Sequence, residues 1–199
     1  MTIMNYQSII ESLRVKALLS FLFLIAFFPN EVVSQVVQVD SISISKEWKD
    51  CNGTNKLTVN VNALCNPDEP PFDGHKTMID VSLKNKKHSL NMQFDDPDYQ
   101  MEMIAFSEKN IWFYSLKGAK VVFIPFSYCS NSDSEKKLSY IILYNDKKYL
   151  YHIPFKCTEE DDCVLNADLN KSMSDLNPKI RTELIKKIKS HYKKGSDFN

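Results

Sequence analysis

Glycine is nearly missing, with four in 199 residues. Loops that cradle phosphate need glycine to bring backbone N–H groups close to the ligand, and neither G-x-x-x-x-G-K nor the nucleophile elbow G-x-S-x-G occurs. The zinc-hydrolase pattern H-E-x-x-H is absent too. An excess of either charge is also lacking: 25 Lys and Arg balance 25 Asp and Glu, so the total gives no pull toward nucleic acid or a membrane surface. Apolar runs of membrane length are absent as well, and the one apolar stretch near the start is shorter than the roughly 20 residues a bilayer needs. These absences argue against the common enzyme chemistries and against nucleic acid as a partner.

What is present begins with that stretch. Arg14 and Lys16 precede Ala17 to Phe28 (ALLSFLFLIAFF), and Pro29 ends it. A short basic region, an apolar core and small residues at Val32 and Ser34 have the layout of a secretory signal cut between Ser34 and Gln35. Residues 1–34 are therefore expected to be removed, leaving a soluble, secreted, extracellular chain still balanced in charge. The remainder suits one domain with its own core. Two sequons follow: Asn52-Gly53-Thr54, favoured by its Thr acceptor and glycine-containing loop, and Asn170-Lys171-Ser172.

Cysteine is well represented in the mature region, at Cys51, Cys65, Cys129, Cys157 and Cys163. An oxidising compartment pairs such residues, and an odd number leaves one over. Cys51 and Cys65 bracket a strand-like segment, while Cys129 and Cys157 end successive aromatic-rich runs. That pairing is preferred, with Cys163 left for a partner chain and a disulfide-linked homodimer as the consequence. The competing arrangement closes CTEEDDC (157–163) and frees Cys129. Its contiguous acids lack the alternation and glycine of a calcium loop. They read as a solvated turn, and neither metal nor cofactor is expected.

Period-two alternation dominates the middle of the chain. LTVNVNAL (57–64), MIDVSL (78–83), HSLNMQF (88–94), QMEMIAF (100–106), NIWFYSL (110–116), AKVVFIPFSYC (119–129), KLSYIILY (137–144) and KKYLYHIPFKC (147–157) are expected strands. Lys117-Gly118 and Asn145-Asp146 supply tight turns, and Asp96-Pro97-Asp98 a looser one. Pro125 and Pro154 mark edges or bulges. The expected fold is all-β: an antiparallel meander of about eight strands forming a sandwich or barrel over 35–169. A terminal region, 170–199, adds an amphipathic helix packed on the β-domain and a polar tail. Asn177-Pro178 opens that helix and Gly195 can end it. Ile180, Leu184, Ile185, Ile188 and Tyr192 share one face, and Lys186, Lys187, Lys189, Lys193 and Lys194 give the other a basic character.

Four histidines, His75, His88, His152 and His191, form no recognised catalytic pattern, and no catalytic residue is assigned. The expected function is recognition: a secreted glycoprotein binding an extracellular protein or a sulfated glycan through loops such as Pro67–His75 and the basic helix. IWFY and VVFIPF, however, are apolar on both strand faces. Such strands need a second covering layer or a small hydrophobic ligand, and eight strands suffice to close a barrel around one. A secreted eight-strand chain with a C-terminal helix resembles the lipocalins in outline, which implies a ligand carrier as the alternative. The Gly-x-Trp near the start of that family is absent; Trp48 stands in KEWKDC.

Overall fold

The chain divides into Met1–Val37 and Gln38–Asn199. The computed structural model describes residues 41–62, 64–65, 78–95, 103–129, 135–160, 162–194 and 197, all in the second unit. The signal segment 1–34, the loop Pro67–His75, the Asp96-Pro97-Asp98 turn and Gly195 lie outside the described residues.

Ten strands are found where eight were expected, in two antiparallel sheets. The first sheet runs in simple order: β1 (Ser41–Asp50), β2 (Gly53–Asn62), β3 (Met78–Lys84) and β4 (Ser89–Asp95). The second holds β5 (Met103–Ala105), β6 (Trp112–Leu116), β7 (Ala119–Cys129), β8 (Glu135–Tyr144), β9 (Lys147–Cys157) and β10 (Cys163–Leu165). Its order is β10-β9-β8-β7, with β5 and β6 sharing the far edge of β7. β1 and β10 are the additions. The sequence of β1, SISISKEWKD, alternates serine with isoleucine, so Ile44 enters the core while Ser43 and Ser45 face water.

A 3-10 turn at Glu108–Asn110 separates β5 from β6. β6 pairs β7 as far as Phe123 and β5 resumes at Ser127, so Pro125 falls where that side of β7 needs no donor. Pro154 lies just past the end of β10, which pairs β9 only from Phe155 onward. Both prolines thus occupy local edges inside a paired sheet.

The sheets pack face to face. Ile44, Leu57, Val59, Val61, Ile79, Val81 and Leu83 from the first meet Val122, Ile124, Phe126, Tyr128, Ile141 and Leu143 from the second. At one lateral edge Trp48 of β1 meets Phe113 of β6 edge-on at 4.9 Å, and at the other Phe94 of β4 lies 5.4 Å from the His152 ring of β9. The opposite phase of β7, β8 and β9 forms a second core. Val121, Phe123, Tyr140, Ile142, Ile153 and Phe155 pack beneath α1 (Leu169–Ser172) and α2 (Pro178–His191), which contribute Leu169, Met173, Ile180, Leu184 and Ile188. Each such side chain, fully buried, contributes roughly 1.5–3 kcal/mol. Two-sided burial is why β7 and β8 read as nearly continuous apolar runs.

The start of α2 follows from its sequence: the Asn177 side chain accepts the Lys179 N–H at 3.0 Å, and Pro178 fills the first helical position. At the other end Tyr192 brings its hydroxyl to that of Tyr140, which is 0 % exposed. Burial pushes the Tyr140 hydroxyl far above its ordinary pKa, keeping it neutral at every physiological pH.

Candidate binding surfaces

Of the basic-helix lysines, Lys186, Lys189, Lys193 and Lys194 are exposed. Lys187 is half-buried: its ammonium lies 5.8 Å from the centre of the Trp112 ring and 2.8 Å from His191 Nε2. Lys193 and Lys194 donate their backbone N–H groups to the Asp197 carboxylate, both at 2.8 Å, and those bonds hold that carboxyl below its ordinary range. The Lys193 carbonyl in turn accepts the Cys163 N–H, at 2.9 Å, pinning the tail against β10. The five lysines are thus divided between an open stripe and a stretch anchored beside an acid.

The cysteines correct the preferred pairing. Disulfides join Cys65 to Cys129 and Cys157 to Cys163, and the free thiol is Cys51, which is exposed. Cys51 and Cys65 stand at opposite ends of β2, whose ten residues span roughly 33 Å. Cys129 and Cys157 end β7 and β9, and β8 runs between these strands. Two interstrand spacings, roughly 9–10 Å, exceed the reach of a disulfide. Cys163, by contrast, is the register partner of Cys157, with Cα atoms 4.0 Å apart. The competing closure of CTEEDDC was therefore right about that loop and wrong about which thiol stays free. Cys65 donates its N–H to the Ile104 carbonyl at 2.9 Å, and Met103 pairs with Cys129, so the other bridge links the two sheets at one corner.

Cys51 lies at the other end of the sandwich, where four turns converge: β1–β2, β3–β4, β6–β7 and β8–β9. The first of these is the hub. Cys51 N–H donates to the Gly118 carbonyl at 3.0 Å, and the Lys87 ammonium donates to the Cys51 carbonyl at 3.3 Å. Asn52 Nδ2 donates to Asn145 Oδ1 at 3.3 Å. Asn55, 2 % exposed, donates to the Gly53 carbonyl and accepts from Asn85 Nδ2 at 2.8 Å. Lys117 and Gly118 both take positive φ, 53° and 81°, and a Cβ on Gly118 would stand 3.4 Å from Cys51 Cβ.

Asp50 secures this arrangement. Its carboxylate accepts the N–H of Asn52 at 2.7 Å, the N–H of Lys120 at 2.9 Å and the Trp48 indole N–H at 3.2 Å. Burial alone would raise its pKa; the bonds from Lys120, Asn55, Asn52 and Trp48 outweigh that and lower it. One charged side chain thus joins the end of the first sheet to β7 of the second.

The two sequons differ in setting. Asn52 is half-buried with its amide nitrogen engaged, whereas the side chain of Asn170 in α1 is exposed. His152 is exposed and its Nδ1 lies 2.8 Å from Ser139 Oγ; His88 belongs to the β3–β4 turn and His191 to the end of α2. These three histidines are dispersed over the described surface, and among the described residues no group of three His, Cys, Asp or Glu side chains is placed to hold a metal ion.

Reading the sequence alone missed the lysines that the four turns bring to one end. The signal was present in each turn separately, as KDCNG, KNKK, KGAK and NDKK. Only the topology gathers them. Comparison of the chain with protein-family models, curated proteins and solved structures finds no match. No helix among the described residues is long and apolar enough to cross a membrane.

Proposed function

We propose that the mature chain is a secreted, disulfide-bonded glycoprotein that acts by binding an extracellular protein or a sulfated glycan, and not by catalysis. The observation that carries this reading is α2, whose apolar side fills the second face of the six-stranded sheet while most of its lysines are left to water. The runs that are apolar on both strand faces are thereby covered by the chain itself, by β1–β4 on one side and the helices on the other. That removes the main argument for a carrier of a small hydrophobic ligand. Two disulfides suit an oxidising compartment. Asn170, open to solvent, is the sequon better placed to carry an oligosaccharide, and Cys51 is the thiol through which a disulfide-linked homodimer would form.

The secreted protein should be retained on a heparin column at physiological salt, and changing Lys186, Lys187 and Lys189 to Ala should make it elute earlier. Native mass spectrometry separates the alternatives. A dimer that falls apart on reduction supports the recognition module with its Cys51 link. A protein that passes straight through heparin and carries a removable apolar ligand is a carrier instead.

A further inference from the structure

The four turns at the hairpin end, residues 49–53, 84–88, 117–120 and 145–148, hold eight lysines against two aspartates. Lys49, Lys86, Lys87, Lys117 and Lys147 are all exposed. Among the described residues the ion pair found is Lys46 with Glu108, away from these turns, so none of the five is neutralised by a carboxylate within 4.0 Å. Of the two aspartates, Asp50 is turned inward onto the Asn52, Lys120 and Trp48 N–H groups, leaving Asp146 as the exposed acid. The hydrogen bonds that tie the turns together fix the spacing of the charges before any ligand arrives, which lowers the cost of binding.

The surface beside this end has a distinct chemistry. Along the outer face of β1–β4, Ser43, Ser45, Thr58, Asn60, Ser82 and Asn91 alternate with the core residues. These are uncharged donors and acceptors; Ser43 Oγ, for example, donates to Asn60 Oδ1 at 2.6 Å. No aromatic side chain stands outward on these four strands to stack on a base or sink into a bilayer. The exposed large hydrophobic residue among those described is Val164 of β10, 67 % exposed and on another sheet. Lysines that recognise anions, next to hydroxyl and amide groups that recognise sugar hydroxyls, match a sulfated carbohydrate better than a nucleic acid or a lipid surface.

We propose that the hairpin end of the sandwich binds a sulfated glycan chain, with sulfates on Lys86, Lys87, Lys117 and Lys147 and sugar hydroxyls toward the polar face of β1–β4. This site rests on the binding reading above and assigns it to a place other than α2. An oligosaccharide on Asn52 would stand among the same lysines, so the measurement uses secreted protein with its N-glycans enzymatically trimmed.

Heparin titration over a range of NaCl compares three proteins: the unaltered chain, a tip variant (Lys86→Ala, Lys87→Ala, Lys117→Ala) and a helix variant (Lys186→Ala, Lys187→Ala, Lys189→Ala). The tip variant should bind at least about tenfold more weakly, with the slope of log affinity against log salt reduced by about 2 to 3. The helix variant should lose less. Arginine at the three tip positions should restore binding, and thermal unfolding should be unchanged because the side chains are exposed. A tip variant that binds within twofold of the unaltered chain, while the helix variant fails, overturns the tip site and leaves the binding reading intact. An unaltered chain that binds no heparin overturns both as glycan readings. Equal binding to unsulfated hyaluronan, or tip-dependent binding to phosphatidylserine vesicles with none to heparin, overturns the choice of a sulfated glycan.

Discussion

The two ends of the sandwich differ in charge, in loop length and in what holds them. At the hairpin end four short turns are laced together by hydrogen bonds around Asp50 and present lysines. The links at the other end, 63–77, 96–102, 130–134 and 158–162, are longer. In sequence they carry eleven acids and one lysine. Both disulfides lie at that end. A meander explains the separation, since successive connections alternate between ends and lysine in one set with acid in the other yields opposite poles. The net charge of zero is the sum of these poles and describes neither. Fastening follows loop length. Closing a tight turn costs little chain entropy and needs only local hydrogen bonds, whereas closing a longer connection costs more and a covalent tie offsets it.

The largest effect that would sharpen this contrast comes from the corner bridge. Replacing Cys65 and Cys129 by Ser opens a loop with a sequence separation of 64. The chain-entropy model puts the loss at about 4 kcal/mol. Denaturant unfolding should register it, and hydrogen exchange should accelerate first around β5 and the end of β7. Replacing Cys157 and Cys163 opens a separation of only 6, for which the same model gives about 2 kcal/mol. Equal losses from the two bridges would mean that native geometry, not loop closure, sets their contribution.

Much of this fold was legible in the sequence, because alternation in β2 to β4 and β6 to β9 reports burial directly. The covering helix was legible from Asn177-Pro178 and the stripe Ile180, Leu184 and Ile188. β1 could have been read from SISIS, but serine contributes weakly to any strand signal. β10 has three residues and borrows its order from the register bond to Cys157, which no local pattern reveals. The disulfides were misassigned because proximity along the chain stood in for proximity across a sheet. The intervening β8 and the length of β2 decide the matter, and both are properties of topology. For the same reason the helix lysines, adjacent in sequence, were noticed, whereas those of the four turns were not.

A smaller effect tests whether Asp50 fastens the hairpin end. Asp50→Asn should cost about 1 kcal/mol at pH 7, because an amide NH2 would replace one of the two accepting oxygens. The folded carboxyl has a lowered pKa, so its contribution is present above the ordinary value of 3.8 and is lost as pH falls through the folded value. The stability gap between variant and unaltered chain should therefore be constant from pH 7 to about 5 and close below about 4. A gap that persists at pH 2 would assign the cost to packing around Trp48 and not to the charge.

The smallest effect concerns the poles themselves. Lys86→Ala combined with Lys117→Ala removes two exposed charges with no ion pair to lose, so the change in unfolding free energy should stay within about 0.5 kcal/mol. Its sign carries the information. Like charges crowded on one end repel, so the variant should be slightly more stable at low salt. The gain should fade as the Debye length shrinks toward about 10 Å at 0.1 M. Glu159→Ala with Glu160→Ala, exposed in the β9–β10 turn, should behave in the same way at the opposite pole. If instead the lysine variant destabilises at every salt concentration, those side chains serve the fold and their convergence is a by-product of turn chemistry. A stabilising, salt-sensitive response at both ends would mean that each pole is held against its own repulsion, which is the condition expected of surfaces whose charge acts on something outside the chain.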